Sequence, residues 1–103
     1  IPMTLEAQRT GATIDATTLA AIEERVARGD RAAFAELADL LAPRVHATLA
    51  DAAGAHRADE LTTALLVDAW ERAPRIRHRG ASIAAWVLAQ TQRLATATRR
   101  TAA

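Results

Sequence analysis

The 103-residue sequence contains no cysteine, lysine or tyrosine, and its only aromatic residues are one phenylalanine and two tryptophans. The absence of cysteine excludes disulfide bonds, thiolate metal sites and a cysteine nucleophile. No apolar run approaches the ~20 residues of a membrane-spanning helix, and the start of the chain shows no signal-peptide pattern. We therefore expect one domain that works in the cytoplasm and has no membrane partner.

Alanine dominates the residues that are present. Half of the chain is apolar, and alanine supplies more than half of that apolar fraction. Alanine is the strongest helix former, whereas the β-branched and aromatic runs that favour strands are scarce. Because large apolar side chains are few, the core must be built from close contacts between helices. The composition therefore predicts an all-α fold, a small orthogonal or antiparallel bundle of about four helices.

Apolar periodicity predicts where the chain becomes regular. Residues 1–17 show no sustained period, and we interpret them as a flexible tail before a helical domain over 18–100. Thr18 is expected to cap a first helix over 19–28, which Gly29 would end.

Capping residues and prolines predict the next two helices. Asp30 is expected to cap the second helix, and Pro43 is expected to kink it or divide it in two. A loop is predicted over 51–57. The third helix is then expected over 58–72, with Pro74 closing it.

Charge is distributed unevenly along the chain. Through Glu71 there are twelve acidic and six basic residues, whereas from Arg72 onward there are seven arginines and no acid. Such asymmetry indicates a polyanionic partner for the basic end. Every base is arginine, whose planar fork suits phosphates and base edges.

The basic end is predicted to consist of a loop and a helix. Residues 75–81 are expected to form a basic loop, and Ser82 is expected to cap a fourth helix over 83–100. Together they would form one positive surface that follows phosphates. We interpret Trp86, in the first turn of that helix, as a core anchor, since a base-stacking role requires an exposed ring.

No pattern of catalytic or metal-binding residues emerges. Asp59 and Glu60 point about 100° apart on a helix, and we interpret them as charges that interact with the helix dipole. The histidines His46, His56 and His78 lack metal-ligand spacing. There is no glycine-rich phosphate loop and no nucleophile elbow. We therefore predict no enzyme activity, metal or cofactor.

Four short motifs follow one another along the chain. They are G-D-R-A-A-F-A-E-L from Gly29, A-P-R-V from Ala42, A-D-E-L-T from Ala58 with a later Trp70, and P-R-I-R from Pro74 followed by W-V-L and a terminal R-R pair. Their order and spacing resemble region 2 of the bacterial extracytoplasmic-function RNA polymerase sigma factors, as a divergent match over most of the chain. The resemblance implies a transcription-initiation domain that binds core polymerase and melts the promoter −10 element as single-stranded DNA.

The resemblance also implies which residues bind each partner. In that family the third helix binds the clamp helices of the largest polymerase subunit, and the fourth helix and the loop before it bind the −10 DNA. The implied polymerase-binding residues are Asp59, Glu60, Thr62, Thr63 and Val67. The implied DNA-binding residues are Arg75, Arg77, His78, Arg79, Ser82, Arg93, Arg99 and Arg100.

The sequence departs from the family pattern at several of these places. Thr63 and Ala64 stand where the family has Gln-Glu, Ile76 replaces an aromatic residue, and Ala97 replaces an aspartate. The family's second promoter-binding domain has no counterpart in the chain. An alternative is therefore a sigma-like interaction module that binds polymerase or an anti-sigma factor without reading DNA. A helix-turn-helix regulator is disfavoured, because the segment 73–81 exceeds a 3–4-residue turn.

Overall fold

The computed structural model describes residues 14–102, which form four helices and contain no strand. The helices are α1 (Ala16–Ala27), α2 (Arg31–Ala53), α3 (Ala55–His78) and α4 (Ile83–Ala102). The all-α prediction and the predicted number of helices are thus confirmed. Most of the predicted tail, residues 1–13, lies outside the described residues.

Helix α1 begins earlier than the sequence pattern predicted. The backbone N–H of Thr18 donates to Asp15 Oδ1 at 2.8 Å, so Asp15 is the N-cap and Thr18 lies in the first turn. This bond holds the pKa of Asp15 below its usual range. The prediction of Thr18 as the cap was wrong because an ionised carboxylate, a stronger acceptor than a hydroxyl, stands three residues before it.

The turn between α1 and α2 follows the predicted glycine and aspartate. Gly29 has a φ of 89°, its N–H donates to the Val26 carbonyl at 2.9 Å, and the Asp30 N–H donates to the Arg25 carbonyl at 3.0 Å. This pair of bonds is a Schellman motif. Asp30 then caps α2 by accepting from the Ala33 N–H at 3.1 Å, as predicted. That bond and the Arg25 guanidinium lower the pKa of Asp30.

Both prolines of the domain lie inside helices. Pro43 lies within α2 and Pro74 within α3, and neither residue ends or divides its helix. A proline inside a helix leaves the carbonyl four residues earlier without its usual N–H donor. Both prolines are solvent exposed, and packing on neighbouring helices holds each helix together despite the lost hydrogen bond. Division of α2 in two at Pro43 and the predicted end of α3 at Pro74 were therefore wrong, while the alternative of a kink at Pro43 stays a prediction.

A single residue separates α2 from α3, where a loop over 51–57 was predicted. Gly54 has φ 89° and ψ 155°, a backbone conformation open mainly to glycine. Its N–H donates to the Ala50 carbonyl at 2.8 Å, and its own carbonyl accepts from the Ala58 N–H at 3.0 Å. Gly54 therefore contributes a hydrogen bond to each helix, and the residues on both sides of it stay helical.

The predicted basic loop over 75–81 is mostly helical. Arg75, Arg77 and His78 belong to the last turn of α3. The chain leaves the helix at Gly80, whose φ is 77° and whose N–H donates to the Arg77 carbonyl at 2.9 Å. Only the four residues 79–82 connect α3 to α4. The expectation that 73–81 exceeds a 3–4-residue turn was therefore wrong, and the length of this connection does not argue against a helix-turn-helix. The basic side chains are therefore held on a helix rather than on a loop.

Helices α2 and α3 form the centre of the fold, since each packs against all three other helices. Six of the sixteen buried apolar residues in the described part are alanines, so small side chains let the helices approach closely. The domain measures 42 × 38 × 21 Å, and its smallest dimension is about two helix diameters. The buried face of α2 repeats every four residues through Ala33, Leu37, Leu41, Val45 and Leu49.

Candidate nucleic-acid interface

A groove lies between the end of α3 and the start of α4. Three arginines on the α3 side face an indole ring on α4 across this groove, and it is the clearest concentration of one charge next to an aromatic ring in the described part of the chain. The residues that line the groove are Arg72, Arg75, Ile76, Arg79, Ala81 and Trp86.

Arg72 connects the two walls of the groove. Its Nε donates to Asp68 Oδ1 one turn earlier at 2.7 Å, and its guanidinium carbon lies 5.8 Å from the centroid of the Trp86 ring. This distance is within the range of a cation–π interaction. Trp86 is half-buried and packs against the core. It is therefore anchored in the core, as predicted, and also lines the groove.

A stripe of basic side chains continues from the groove along α4. Trp86, Arg93 and Arg100 follow one another at intervals of seven residues, and this spacing keeps them on nearly the same side of a helix. Arg93 and Arg100 are exposed and line one shallow surface. At 1.5 Å per residue, Arg100 lies about 21 Å along α4 from Trp86. Segment 83–102 contains no acid.

We call the surface formed by the groove and this stripe the basic face. Within residues 14–102, Arg72 is the only one of its arginines that forms an ion pair, the one with Asp68. The exposed guanidinium groups are therefore available to an anionic partner. The arginines of the basic face are Arg72, Arg75, Arg79, Arg93 and Arg100.

Two predicted DNA-binding residues lie away from the basic face. The Nη2 of Arg99 donates to Asp51 Oδ2 at 3.1 Å, which turns this side chain towards the end of α2. His78 is exposed but is not among the residues that line the groove. The structure therefore gathers four of the eight predicted DNA-binding residues on the basic face: Arg75, Arg79, Arg93 and Arg100.

Arg77, another predicted DNA-binding residue, forms hydrogen bonds within the domain. Its Nη2 lies 2.5 Å from Glu24 Oε2 on α1, and its Nε donates to the same oxygen at 3.2 Å. Its Nη1 donates to the Ala81 carbonyl at 3.1 Å. With only 19% of the side chain exposed, a phosphate could bind Arg77 only by competing with these carboxylate and carbonyl oxygens.

Ser82, also predicted to bind DNA, belongs to the same network through Glu23. Glu23 is 1% exposed and is the one buried acidic residue of the described part. Its carboxylate accepts from the N–H groups of Ile83 and Ala84 at 2.5 and 3.1 Å, and from Ser82 Oγ at 2.9 Å. Arg77 Nη1 lies 3.5 Å from the same carboxylate.

Ser82 also caps α4, as predicted from the sequence. Its Oγ accepts from the Ala85 N–H at 3.1 Å while it donates to Glu23. Sequence reasoning missed Glu23 itself. The available signal was its position, because Leu19, Glu23 and Val26 recur at the spacing of one helix face, so a carboxylate stands within an apolar stripe.

The predicted polymerase-binding residues differ in their exposure to solvent: four are exposed and one is buried. Asp59, Glu60, Thr63 and Val67 are exposed, and half of the Val67 side chain is accessible. Thr62 is only 8% exposed, and its Oγ1 has no hydrogen-bond partner. Thr62 still contributes to the lining of a shallow groove together with Thr63, so its role in binding polymerase stays a prediction.

A side-chain hydrogen bond connects α2 with α3 near these residues. His46 Nε2 lies 2.7 Å from Asp59 Oδ1, beside a shallow groove that Asp39 also lines. In the described part of the chain, no group of three or more histidine, aspartate and glutamate side chains is placed to hold a metal ion. Over the same residues, no helix has the length and apolar character needed to cross a membrane.

Comparisons with known proteins found no relative of this chain. No protein-family model, no curated protein and no solved structure matches the chain. The class of the protein therefore rests on its own features, which are those of a small all-α bundle with one basic face. That face combines guanidinium groups with an indole ring.

Proposed function

We propose that this chain is a transcription-initiation module of the sigma region 2 type, which binds single-stranded −10 promoter DNA on its basic face. The observation that carries the proposal is the groove in which Arg72, Arg75 and Arg79 face Trp86. Guanidinium groups that follow a backbone, next to an aromatic ring on which a base can stack, are the usual means of binding a single strand. The resemblance of the sequence motifs to sigma region 2 supports the same conclusion.

The basic face offers separate sites for bases and for phosphates. The guanidinium of Arg72, which lies over the Trp86 ring, presents a flat surface to a base, and the exposed part of the indole extends this surface. Stacking contributes about 1–3 kcal/mol per base. Arg93 and Arg100 continue the phosphate contacts along α4. Unstacking a base costs a few kcal/mol, so binding of this size can help to hold promoter strands apart. The module forms no covalent bond in this proposal.

The polymerase would bind on a different side of the domain. At about 100° per residue, Thr63 and Val67 project from α3 roughly opposite to Arg72. A partner on that side would meet the carboxylates of Asp59 and Glu60 next to an exposed apolar side chain. Core polymerase and DNA can therefore bind at the same time, as promoter melting requires.

The DNA-binding part is tested by fluorescence anisotropy with a labelled single strand and with the duplex of the same sequence. We expect the single strand to bind more tightly, since only unpaired bases can reach Trp86. The double variant Arg75→Ala/Arg79→Ala should weaken binding roughly tenfold, because two phosphate contacts are lost. His78→Ala is the matched control on the same helix end. Equal affinity of the wild type and the double variant would refute the proposal.

The exposed apolar side chain of Val67 favours a second candidate, a sigma-like module that binds polymerase or an anti-sigma factor without reading DNA. A pull-down with core polymerase, with and without promoter fork DNA, separates the two. The first proposal predicts capture of fork DNA that is lost in Arg75→Ala/Arg79→Ala, while polymerase binding remains. The second predicts polymerase capture that Val67→Glu abolishes and that does not depend on the arginines.

A further inference from the structure

We infer that Glu23 of α1 is a positioning residue for the groove, because its buried carboxylate fixes where α4 begins relative to the end of α3. The consequence for DNA binding rests on the proposed function, whereas the geometric role does not.

The start of α4 depends on this carboxylate. The first N–H groups of a helix have no partner within the helix, and the positive end of the helix dipole favours a negative charge there. Glu23 accepts from the N–H groups of Ile83 and Ala84, which lie 60 and 61 residues further along the chain. Because α1 otherwise packs mainly on α2 and α3, Glu23 is its principal polar contact with α4 within the described residues.

The same carboxylate also reaches the end of α3. Arg77 Nη1 lies 3.5 Å from Glu23 Oε1 and donates to the carbonyl of Ala81 in the connecting turn. One buried group thus holds the last turn of α3, the connection and the first turn of α4. Arg75 and Arg79 lie two residues to either side of Arg77, and Trp86 lies two residues after Ala84. The walls of the groove are therefore attached directly to this network.

This arrangement changes the expected set of DNA contacts. A helix N-terminus is a natural site for a phosphate, but in α4 the protein's own carboxylate occupies it. Arg77 is likewise turned towards Glu23 and Glu24. DNA phosphates would therefore bind the exposed arginines of the basic face, while Arg77 and Ser82 hold the groove in shape.

The test compares Glu23→Gln with Glu24→Gln, each in a Trp70→Phe background, so that Trp86 is the sole tryptophan. Glu24 is the matched control, since it binds the same arginine but is half-exposed and is not bonded to α4. Three properties are measured: amide exchange at Ile83 and Ala84 by NMR, acrylamide quenching of Trp86, and affinity for the labelled single strand at several salt concentrations. Thermal melts establish that each variant is folded at the temperature used.

For Glu23→Gln we expect amide exchange at Ile83 and Ala84 to be at least about tenfold faster, since an amide offers one acceptor where the carboxylate offers two. Quenching of Trp86 should rise by roughly a factor of two as the groove loosens. Affinity for the single strand should fall about tenfold with an unchanged salt slope, because no phosphate-binding arginine is removed. Glu24→Gln should leave all three properties within about twofold of the parent.

Two results would overturn the inference. One is a folded Glu23→Gln variant with the same amide exchange and Trp86 quenching as its parent. The other is a variant that loosens in both measurements but binds the single strand with unchanged affinity.

If the parent itself binds no DNA, the proposed function fails, and amide exchange and quenching alone decide whether Glu23 positions the groove. If Glu23→Gln does not fold, Glu23→Asp keeps the charge but shortens the side chain by one methylene, and it should change exchange and quenching in the same direction.

Discussion

Thr62 shows how much a single hydroxyl can cost inside a small core. Its Oγ1 is buried without a partner, and an unsatisfied buried hydroxyl costs about 1–3 kcal/mol. We predict that Thr62→Val, which replaces the hydroxyl with a methyl group, raises the free energy of unfolding by about 1 kcal/mol. Urea denaturation monitored by circular dichroism measures this as a higher midpoint with an unchanged slope.

Thr91 provides the control for that substitution. It is buried to a similar degree, but its Oγ1 donates to the Val87 carbonyl at 2.8 Å. Thr91→Val should therefore be neutral or destabilising. A loss of stability in Thr62→Val would mean that its hydroxyl has a partner, such as a bound water.

Asp30 couples the stability of the domain to pH. Its pKa is lowered by the bond from the Ala33 N–H and by Arg25, so its folded-state value lies below the unfolded value of about 3.9. Its stabilising contribution is therefore present above that unfolded value and is lost as the pH falls through the folded value. We predict that Asp30→Asn melts at a lower temperature than the wild type at pH 6, and that the difference shrinks below about pH 4. A difference that stays constant over thermal melts from pH 6 to pH 3 would contradict this assignment.

At the scale of the elements, the connection between α2 and α3 depends on one backbone conformation. Gly54 has positive φ with ψ near 155°, and a Cβ built on it would meet no atom within 4 Å. The cost of Gly54→Ala is therefore backbone strain alone, about 1–3 kcal/mol. We expect a drop of this size in the free energy of unfolding, measured by urea denaturation.

Ala55→Gly, in the first turn of α3, is the control and should cost less than about 1 kcal/mol. An equal or smaller effect at Gly54 would show that the helices do not require this turn.

The existence of the helices could be predicted, but their ends could not. Alanine content and apolar spacing favour helices wherever an apolar face repeats. Pro43 and Pro74 predicted helix interruptions that the structure does not show. Each exposed proline removes one hydrogen bond, but tertiary packing supports the turns on both sides of it. Gly54 had the opposite effect, since this one residue separates two helices where a loop over 51–57 was predicted. Such boundaries depend on packing against other helices, which local sequence does not encode.

At the scale of the whole molecule, the sequence predicted that the basic end would form a positive surface but not which arginines would share it. Arg77 and Arg99 carry the same charge as their neighbours, yet each is bound by an acid from another helix, Glu24 and Asp51. Those acids lie 53 and 48 residues away in the chain. Helical spacing from Trp86 could have separated Arg93 and Arg100 from Arg99. No local signal could have assigned Arg77 to the core network.

The basic face as a whole determines how DNA binding should respond to salt. If Arg75, Arg79, Arg93 and Arg100 each neutralise one phosphate, the logarithm of the association constant should fall against the logarithm of salt concentration with a slope of about −3 for a single strand. Arg93→Ala/Arg100→Ala should reduce the slope to about −1.4, since two of four contacts are lost. Arg99→Ala, adjacent in sequence but paired with Asp51, should leave the slope unchanged.

Anisotropy titrations at several salt concentrations measure all three slopes. A loss of about 0.7 in the slope of Arg99→Ala, half of that in the double variant, would mean that net charge rather than this face governs binding. A flat wild-type response would exclude phosphate recognition by the basic face.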